Sequence, residues 1–226
     1  MNKKNFFNWF ATILLGVCSV LFVWTFALSV PIYYRFVYYV KVNEISSESG
    51  YDKKVVREAY DDVLDYLTLH KEFRTGDLLC SDEAKEHFAD CQKLFDLNLG
   101  ILVASAAVLL LLSVLCTKKI IEFKRIGKFG VLFYSALVAV AVPLVFGVVA
   151  TVNFDAAFVL FHRILFPGKT NWQFDPVADE IINILPESYF ATCGAIVAGI
   201  ILAIVVGILM WEIFELKKRN KQKLDK

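Results

Sequence analysis

Charged residues are almost missing from four long stretches of this 226-residue chain, although 21% of all its residues are charged. The stretches cover residues 6–30, 99–116, 129–150 and 191–214. Each is long enough to cross the ~30 Å hydrocarbon core of a bilayer as an α-helix. With 58% hydrophobic residues, the chain is also more apolar than a soluble domain of this size. The sequence therefore predicts an all-α integral membrane protein with four transmembrane helices.

The four stretches also lack charged residues at mid-membrane depth. Only Glu212 falls within them, near the end of the fourth stretch. Ion pumps and transporters usually place carboxylates, lysines or histidines close to the middle of the membrane. The absence of such residues argues against a transport function.

No small-residue cleavage site follows the first stretch, so we expect it to be a retained anchor and not a signal peptide. Basic residues cluster at positions 3–4, 118–128 and 217–226. With four spans, these clusters fall on one side of the membrane, and the positive-inside rule assigns that side to the cytoplasm. Both termini are therefore expected to be cytoplasmic.

This topology divides the chain into five regions. They are the N-terminus with the first span (1–30), an extracytoplasmic helical lobe (31–98), the second and third spans with their basic cytoplasmic link (99–150), an extracytoplasmic or interfacial loop (151–190), and the fourth span with its basic tail (191–226). The expected fold is thus four transmembrane helices with a small helical extracytoplasmic lobe.

Two helices are predicted within the lobe. Apolar residues between positions 56 and 67 recur at steps of three and four, as an amphipathic helix over 51–70 requires. A second helix begins after Ser81, a favourable N-cap residue, and leads into the second span. We therefore expect the lobe to be folded and not a slack linker.

Sequence motifs for metals and cofactors are also missing. The five cysteines do not have metal-site spacing, and no phosphate-binding loop or dinucleotide fingerprint is present. We expect no cofactor, no metal and no nucleic acid partner. Cys80 and Cys91 both lie in the lobe, where an oxidising exterior permits a disulfide. The sequence is equally compatible with a disulfide between them and with two reduced thiols.

The chain lacks the GxSxG motif of serine hydrolases, which favours chemistry that needs no protein nucleophile. Its three histidines, His70, His87 and His162, all fall in the two outer regions. On a helix, His87 lies on the same face as Asp90, which can hydrogen-bond the imidazole and raise its basicity. An ordinary solvated pair is the alternative there, and helix C-capping explains His70.

The segment FHRILFPGKTNWQFDP, residues 161–176, places His162 among aromatic residues. The apolar run before it predicts a short helix that lies in the membrane interface and ends at Pro167. Trp172 and Phe174 are candidate anchors at headgroup level, and Asp175 starts a turn. A histidine in apolar surroundings needs a partner or a role. It is either a catalytic group or an interfacial residue satisfied by backbone or headgroups.

Two sequence blocks, EHFAD in the lobe and FHRILFPGKTNWQFDP with IINILPESYF in the second outer loop, resemble the lipoprotein intramolecular transacylases of Gram-positive bacteria. The resemblance covers essentially the whole chain. It implies a plasma-membrane enzyme that moves the sn-2 acyl chain of a diacylglyceryl-modified lipoprotein to the α-amino group of its N-terminal cysteine. The expected partners are this diacylated lipoprotein and membrane lipid, while the oligomeric state is left open.

The resemblance also implies that His87 and His162 are the catalytic pair. We expect His87 to take the proton of the substrate amine and His162 to serve the ester, although the two roles can be exchanged. Asp90 is expected to orient His87. Lipid polar groups are expected to be held by Arg163 or by the strip Tyr33–Tyr34–Arg35. Supporting roles are assigned to Trp172 and Asp175.

Two other functions fit the same pattern. The first is an intermolecular acyltransferase or a lipid hydrolase that uses one histidine. The second is a non-enzymatic membrane adaptor whose outer lobe binds a partner through the helix at 51–70. Product mass distinguishes the first from intramolecular transfer, and a silent His162→Ala substitution would favour the second.

Overall fold

The computed structural model describes residues 2–224, which are mainly helical. In chain order the elements are α1 (Lys3–Tyr33), α2 (Phe36–Tyr39), α3 (Val42–Ser49), α4 (Lys53–Leu69), α5 (Asp82–Thr117), β1 (Arg125–Ile126), β2 (Phe129–Gly130), α6 (Val131–Val152), α7 (Phe154–Leu165), a 3-10 helix (Glu180–Ile184) and α8 (Glu187–Leu224). The two short strands pair in antiparallel register.

Four of these helices, α1, α5, α6 and α8, are long and apolar enough to cross a membrane. The predicted class, an all-α integral membrane protein with four spans, is confirmed. Helix α5 is longer than a span requires, because its charged first part, residues 82–98, precedes the uncharged stretch 99–116. Residues 82–98 therefore lie outside the membrane-spanning part of α5.

The chain divides into two compact units, and the divisions fall within long helices. One unit comprises the residues up to Ala27, Leu99–Val145 and the residues from Ala198. Its β1–β2 hairpin is tied to α8, where the Glu212 carboxylate accepts hydrogen bonds from the Gly130 backbone N–H (3.0 Å) and from Arg125 (3.0 Å). The charged residue within the fourth apolar stretch therefore has a structural role in joining the hairpin to α8.

The other unit comprises Leu28–Asn98 and Phe146–Val197, and it contains both outer regions. Its core is built on α4, which the sequence pattern predicted as an amphipathic helix. The apolar residues that this pattern identified are all buried, namely Val56, Tyr60, Val63, Leu64 and Leu67. Asp52 caps the start of α4 by accepting from the Lys54 backbone N–H, and His70 caps its end in a left-handed conformation, as expected.

Helix α5 begins as predicted. The Ser81 hydroxyl accepts a hydrogen bond from the Ala84 backbone N–H at 3.1 Å, which is the geometry of an N-cap. The helix then continues without interruption from the lobe into the second span. The five cysteines are all free thiols, so the possible disulfide between Cys80 and Cys91 is not formed in this structure.

Helix α7 is the short helix expected before Pro167. Asn153 caps its start by accepting from the Ala156 backbone N–H at 2.9 Å. The helix buries Ala157 and His162, whereas Leu160, Phe161 and Ile164 remain exposed. His162 is thus buried in the interior of this unit, although α7 also exposes several apolar side chains.

Candidate active site

Two histidines that lie far apart in the chain meet in the unit that contains both outer regions. His87 is on the first part of α5, and His162 is on α7; their ring centroids are 5.6 Å apart. Both are buried, with 7% of His87 and 8% of His162 exposed. A buried imidazole is costly unless it has a partner or a function, so this pair is the candidate active site.

Aromatic rings surround the pair. Phe166 lies 4.8 Å from the His87 ring, and Phe174 lies 5.5 Å from it. Phe158 lies 4.0 Å from the His162 ring, and Trp172 stacks on His162 at 4.8 Å with an interplanar angle of 28°. These contacts remove water from both imidazoles.

The prediction that Trp172 anchors the chain at headgroup level is wrong in this structure. Trp172 is 8% exposed, and its indole N–H donates to the Lys169 carbonyl at 3.0 Å. Because its polar atom is satisfied internally and its ring packs on His162, it belongs to the wall of the site. Phe174 is likewise partly buried, against His87 and Phe88.

His162 is held in one tautomer by its own helix. Its Nδ1 lies 2.8 Å from the Phe158 carbonyl oxygen. Since a carbonyl can only accept, Nδ1 must carry the proton, and Nε2 keeps its lone pair. Burial lowers the pKa of His162, and the bond to Phe158 offsets part of that shift. A neutral imidazole with a free basic nitrogen results.

His87 has a different hydrogen-bond environment. Its Nε2 lies 3.4 Å from the Sγ of Cys91, which is one helical turn further along α5. Its Nδ1 is buried and has no hydrogen-bond partner among residues 2–224. Burial and then the nearby His162 lower the pKa of His87 to about 4, although Asp90 opposes the shift. His87 is therefore neutral at physiological pH.

Asp90 does not orient His87, contrary to the expectation from their spacing. Its carboxylate pairs with Lys169, accepts from Lys93 at 3.1 Å and lies 3.5 Å from the Asn171 amide nitrogen. Burial alone would raise the pKa of Asp90, but these hydrogen bonds and the charge of Lys169 lower it to about 2. The carboxylate thus binds the two lysines, whose charges attract it more strongly than a neutral imidazole does.

The remaining predicted supporting residues make other contacts. Arg35 pairs with Asp61 and Asp65 on α4, and Tyr34 is 56% exposed. Asp175 accepts from the Val177 backbone N–H at 2.9 Å and so forms the expected turn. Arg163 is exposed beside Asn153 and Asp155. None of these four side chains hydrogen-bonds or stacks with His87 or His162 in the part of the chain that the structure describes.

Sequence reasoning missed several residues of the site. Cys91 and Phe166 each follow a histidine by four helical positions, and this spacing was available in the sequence. Lys169 and Asn171 lie on the loop after α7, and nothing in the local pattern indicates that they reach Asp90. The Asn171 side-chain oxygen is also buried without a partner among the residues that the structure describes.

The site contains no obvious metal-binding cluster. Within the described residues, no group of three or more His, Cys, Asp or Glu side chains is placed to hold a metal ion. What the arrangement offers is two neutral imidazoles in a dry, aromatic enclosure. Such groups can accept a proton and donate a hydrogen bond during a reaction.

Comparisons with known proteins agree on one family. A family model described as "Lipoprotein intramolecular transacylase Lit" matches residues 13–190. A search of curated protein sequences finds no match. The fold is similar to the in meso structure of the membrane-integral lipoprotein intramolecular transacylase Lit from Bacillus cereus, with a TM-score of 0.81 and 22% identity over 94% of this chain and 97% of that one.

Two further structures of the Bacillus cereus protein are similar to this chain. Each is a variant in which a histidine is replaced, by arginine in one and by alanine in the other, and each matches with a TM-score of 0.74 and 21% identity. Both matches cover 94% of this chain, and they cover 93% and 94% of the respective variants. The family model spans well over half of the sequence, and so the chain belongs to the lipoprotein intramolecular transacylase family.

Proposed function

We propose that the enzyme moves the sn-2 acyl chain of a diacylglyceryl-modified lipoprotein to the α-amino group of the lipoprotein's N-terminal cysteine. The observation that carries this proposal is the buried pair of neutral imidazoles, His87 and His162, with 5.6 Å between their ring centroids. Membership of the transacylase family supplies the substrate class.

The reaction needs no nucleophile from the protein. The substrate amine is itself a competent nucleophile once it loses a proton, since the pKa of an α-amino group is ordinarily about 7.7–8.0. Its nitrogen bonds to the ester carbonyl carbon, and the bond from that carbon to the glycerol oxygen breaks. The proton released by nitrogen ends on the glycerol oxygen, so the product is an amide and an alcohol of unchanged total mass.

His162 is suited to transfer this proton. Because Nδ1 of His162 is committed to the Phe158 carbonyl, Nε2 has the free lone pair that a general base requires. After taking the proton from nitrogen, the same atom can return it to the departing glycerol oxygen. This assignment exchanges the roles expected from the sequence, where His87 was the base.

His87 is suited to a different task. A histidine with a pKa of about 4 does not carry a charge at neutral pH, so it cannot act as an imidazolium acid. A neutral imidazole N–H can still donate a hydrogen bond to the oxyanion that forms on the ester carbonyl. We assign His87 to that role, because its Nδ1 has no competing partner within the described chain.

The aromatic walls support intramolecular transfer over hydrolysis. Phe158, Phe166 and Trp172 pack against the imidazoles and keep bulk water away from a reactive ester. Amine and ester belong to one molecule, and correct orientation of such groups gives effective molarities of ~10⁵–10⁸ M. The enclosure therefore favours the amine over water as the nucleophile.

We place this site on the extracytoplasmic face of a bacterial plasma membrane. The support is the position of the three basic clusters, which follow or precede the spans on the side opposite both outer regions. Lipoproteins reach that face after translocation, so the substrate and the histidine pair would share a compartment.

The proposal is tested with purified enzyme and a synthetic diacylated lipopeptide, using fragment mass spectra to locate each acyl chain. The wild-type enzyme should move one chain from glycerol to nitrogen without changing the total mass. His87→Ala and His162→Ala should each lower the rate by roughly 10²-fold or more. His70→Ala is the matched control, since His70 is exposed and pairs with Asp96, and it should retain activity.

The other outcomes identify the competing functions. A gain of one acyl chain in mass would show an intermolecular transferase, and a loss would show a hydrolase. Full activity in either the His87 or the His162 variant would contradict the assignment of the catalytic pair. No change of the lipopeptide by any form of the enzyme would favour the adaptor function.

A further inference from the structure

Cys91 makes an unusual contact for a partly buried cysteine. It lies one helical turn after His87 on α5, and its Sγ is 3.4 Å from the His87 Nε2. The cysteine is a free thiol and is partly buried beside the hydrophobic core of the lobe. Nε2 has no other hydrogen-bond partner among the residues that the structure describes, so this contact alone determines which nitrogen of the ring carries the proton.

We propose that Cys91 is a positioning residue that holds His87 in the tautomer with its proton on Nδ1. The inference rests on the proposed function, in which His87 donates a hydrogen bond to the oxyanion. It goes beyond that function by naming the residue that gives His87 a donor at its free nitrogen.

The direction of the bond follows from the two groups. A neutral imidazole has one N–H and one lone pair, and the lone pair is a far better acceptor than a thiol sulfur. The S–H group is therefore expected to donate to Nε2, which leaves the proton on Nδ1. Burial, followed by the charge of Asp90, raises the pKa of Cys91 to about 12, so the sulfur keeps the proton that it donates.

The unpartnered Nδ1 is the second observation. A buried N–H without an acceptor costs free energy, and native structures seldom leave one unless it serves a function. The same N–H becomes favourable when an oxyanion forms beside it, because preorganised donors act most strongly in a site without water. With Cys91 bound to Nε2, the Nδ1–H of His87 is a preorganised hydrogen-bond donor that has no acceptor until the oxyanion forms.

Two other roles for Cys91 fit the structure less well. An acyl-cysteine intermediate needs a thiolate, and a thiol with a pKa of about 12 supplies almost none at neutral pH. A disulfide with Cys80 is not formed here, and burial raises the pKa of Cys80 as well, to about 11. The contact with His87 therefore accounts for Cys91 better than nucleophilic or redox chemistry does.

The tautomer can be measured directly, because the protein has only three histidines. The full-length enzyme is labelled with [¹⁵N]histidine in detergent micelles, and the ring nitrogen shifts are assigned with His70→Gln and His162→Gln variants. We expect His87 to carry its proton on Nδ1 in the wild type and in Cys91→Ser, whose hydroxyl also donates. Cys91→Ala should move His87 toward the Nε2–H form, which histidine favours in water.

Kinetics then separate this inference from the proposed function. Because the rate follows the fraction of His87 in the competent tautomer, Cys91→Ala should lower kcat by roughly five- to tenfold with little change in KM. Cys91→Ser should restore most of kcat. Cys80→Ala makes the same substitution in the same lobe without touching a histidine, and it should leave both kcat and the His87 shifts unchanged.

Three results would overturn the inference. They are a wild-type His87 with its proton on Nε2, a Cys91→Ala variant whose His87 shifts are unaltered, or a loss of kcat in Cys91→Ser as large as in Cys91→Ala. If Cys91→Ala moves the tautomer and kcat stays constant, the assignment of Cys91 stands and the donor role of His87 in the proposed function is wrong.

Discussion

At the scale of single residues, the two imidazoles of the proposed catalytic pair differ in the hydrogen bonding of Nδ1. His162 cannot use Nδ1, which is bound to the Phe158 carbonyl, and His87 has no acceptor at Nδ1 within the described residues. Burial lowers the pKa of both rings, and His162 lowers that of His87 further. Burial thus favours the neutral form of both imidazoles, and their different hydrogen bonds support the proposed roles of His162 as the base and His87 as the donor.

This electrostatic state predicts the pH dependence of the rate. Because the pKa of each histidine is lowered, each imidazole keeps its neutral form to a lower pH than an ordinary histidine does, so we expect no bend at the ordinary value of about 6.5. The substrate amine, in contrast, is increasingly protonated below its pKa of about 8. We therefore expect kcat/KM to rise roughly tenfold per pH unit between pH 6 and 7 and to level off above pH 8.

The profile is measured with the lipopeptide assay in a buffer series of constant ionic strength. The control is a second lipopeptide whose amine has a lower pKa. The bend should move to lower pH by the difference between the two amine pKa values. A bend that stays near pH 6.5 with both substrates would mean that a histidine titrates at its ordinary value, which contradicts the proposed state of the pair.

At the scale of elements, the sequence predicted helices better than contacts between them. Periodicity predicted α4, capping predicted the start of α5, and Pro167 marked the end of α7, because each signal lies within a few residues. The meeting of α5 and α7 at the two histidines was implied by a family resemblance and not by spacing. Asp90 shows why spacing was insufficient, since its strongest partner, Lys169, comes from a distant loop.

That loop connects α7 to the 3-10 helix at Glu180–Ile184 and forms one wall of the site. Lys169 pairs with Asp90 and lies 3.3 Å from Glu86, both on α5. The Lys169 carbonyl in turn accepts from the Trp172 indole, whose ring stacks on His162. One lysine therefore links the charged first part of α5 to the ring that covers His162.

Lys169→Met should make the loop after α7 more mobile. The substitution keeps a long side chain and removes the charge, so Asp90 loses its closest cation. The Lys169 carbonyl, which accepts from the Trp172 indole, is then no longer held to α5 by the ion pair. We expect faster hydrogen exchange in peptides that cover residues 166–176 and a severalfold loss of kcat, both measured on the full-length enzyme in detergent. Lys71→Met removes another partly exposed ion pair, the one with Asp65, and should change neither quantity.

Unchanged exchange in residues 166–176 would contradict the structural role of Lys169. Faster exchange with full activity would show that Trp172 covers His162 without aiding the reaction. The two measurements therefore test the ion pair and the stacked ring separately.

At the scale of the whole molecule, the distribution of charge supports the proposed orientation in the membrane. The basic clusters at 3–4, 118–128 and 217–226 flank the four spans, whereas the lobe that carries His87 is rich in Asp and Glu. Positive charge near span ends is retained in the cytoplasm, and acidic loops cross the membrane with little penalty. This distribution supports the proposal that the site meets its lipoprotein substrate on the extracytoplasmic face.

The orientation can be tested with a short protease-cleavage sequence inserted at one of two sites. Gly50 is exposed between α3 and α4 and has a positive φ of 77°, and a Cβ added to it would meet no other atom within 4 Å. An insertion there should therefore be tolerated. The second site follows Leu224. Protease added to intact protoplasts should cut only the Gly50 insertion. After lysis, the protease should also cut the insertion that follows Leu224.

Retained transacylase activity in each uncut insertion variant is the control that the fold is preserved. Cleavage after Leu224 in intact cells, with protection at Gly50, would place the histidine pair in the cytoplasm. The proposed substrate is an exported lipoprotein, so that result would place it out of reach of the site even if the chemistry of His87 and His162 were correct. The orientation experiment therefore tests the substrate, and the histidine variants test the reaction.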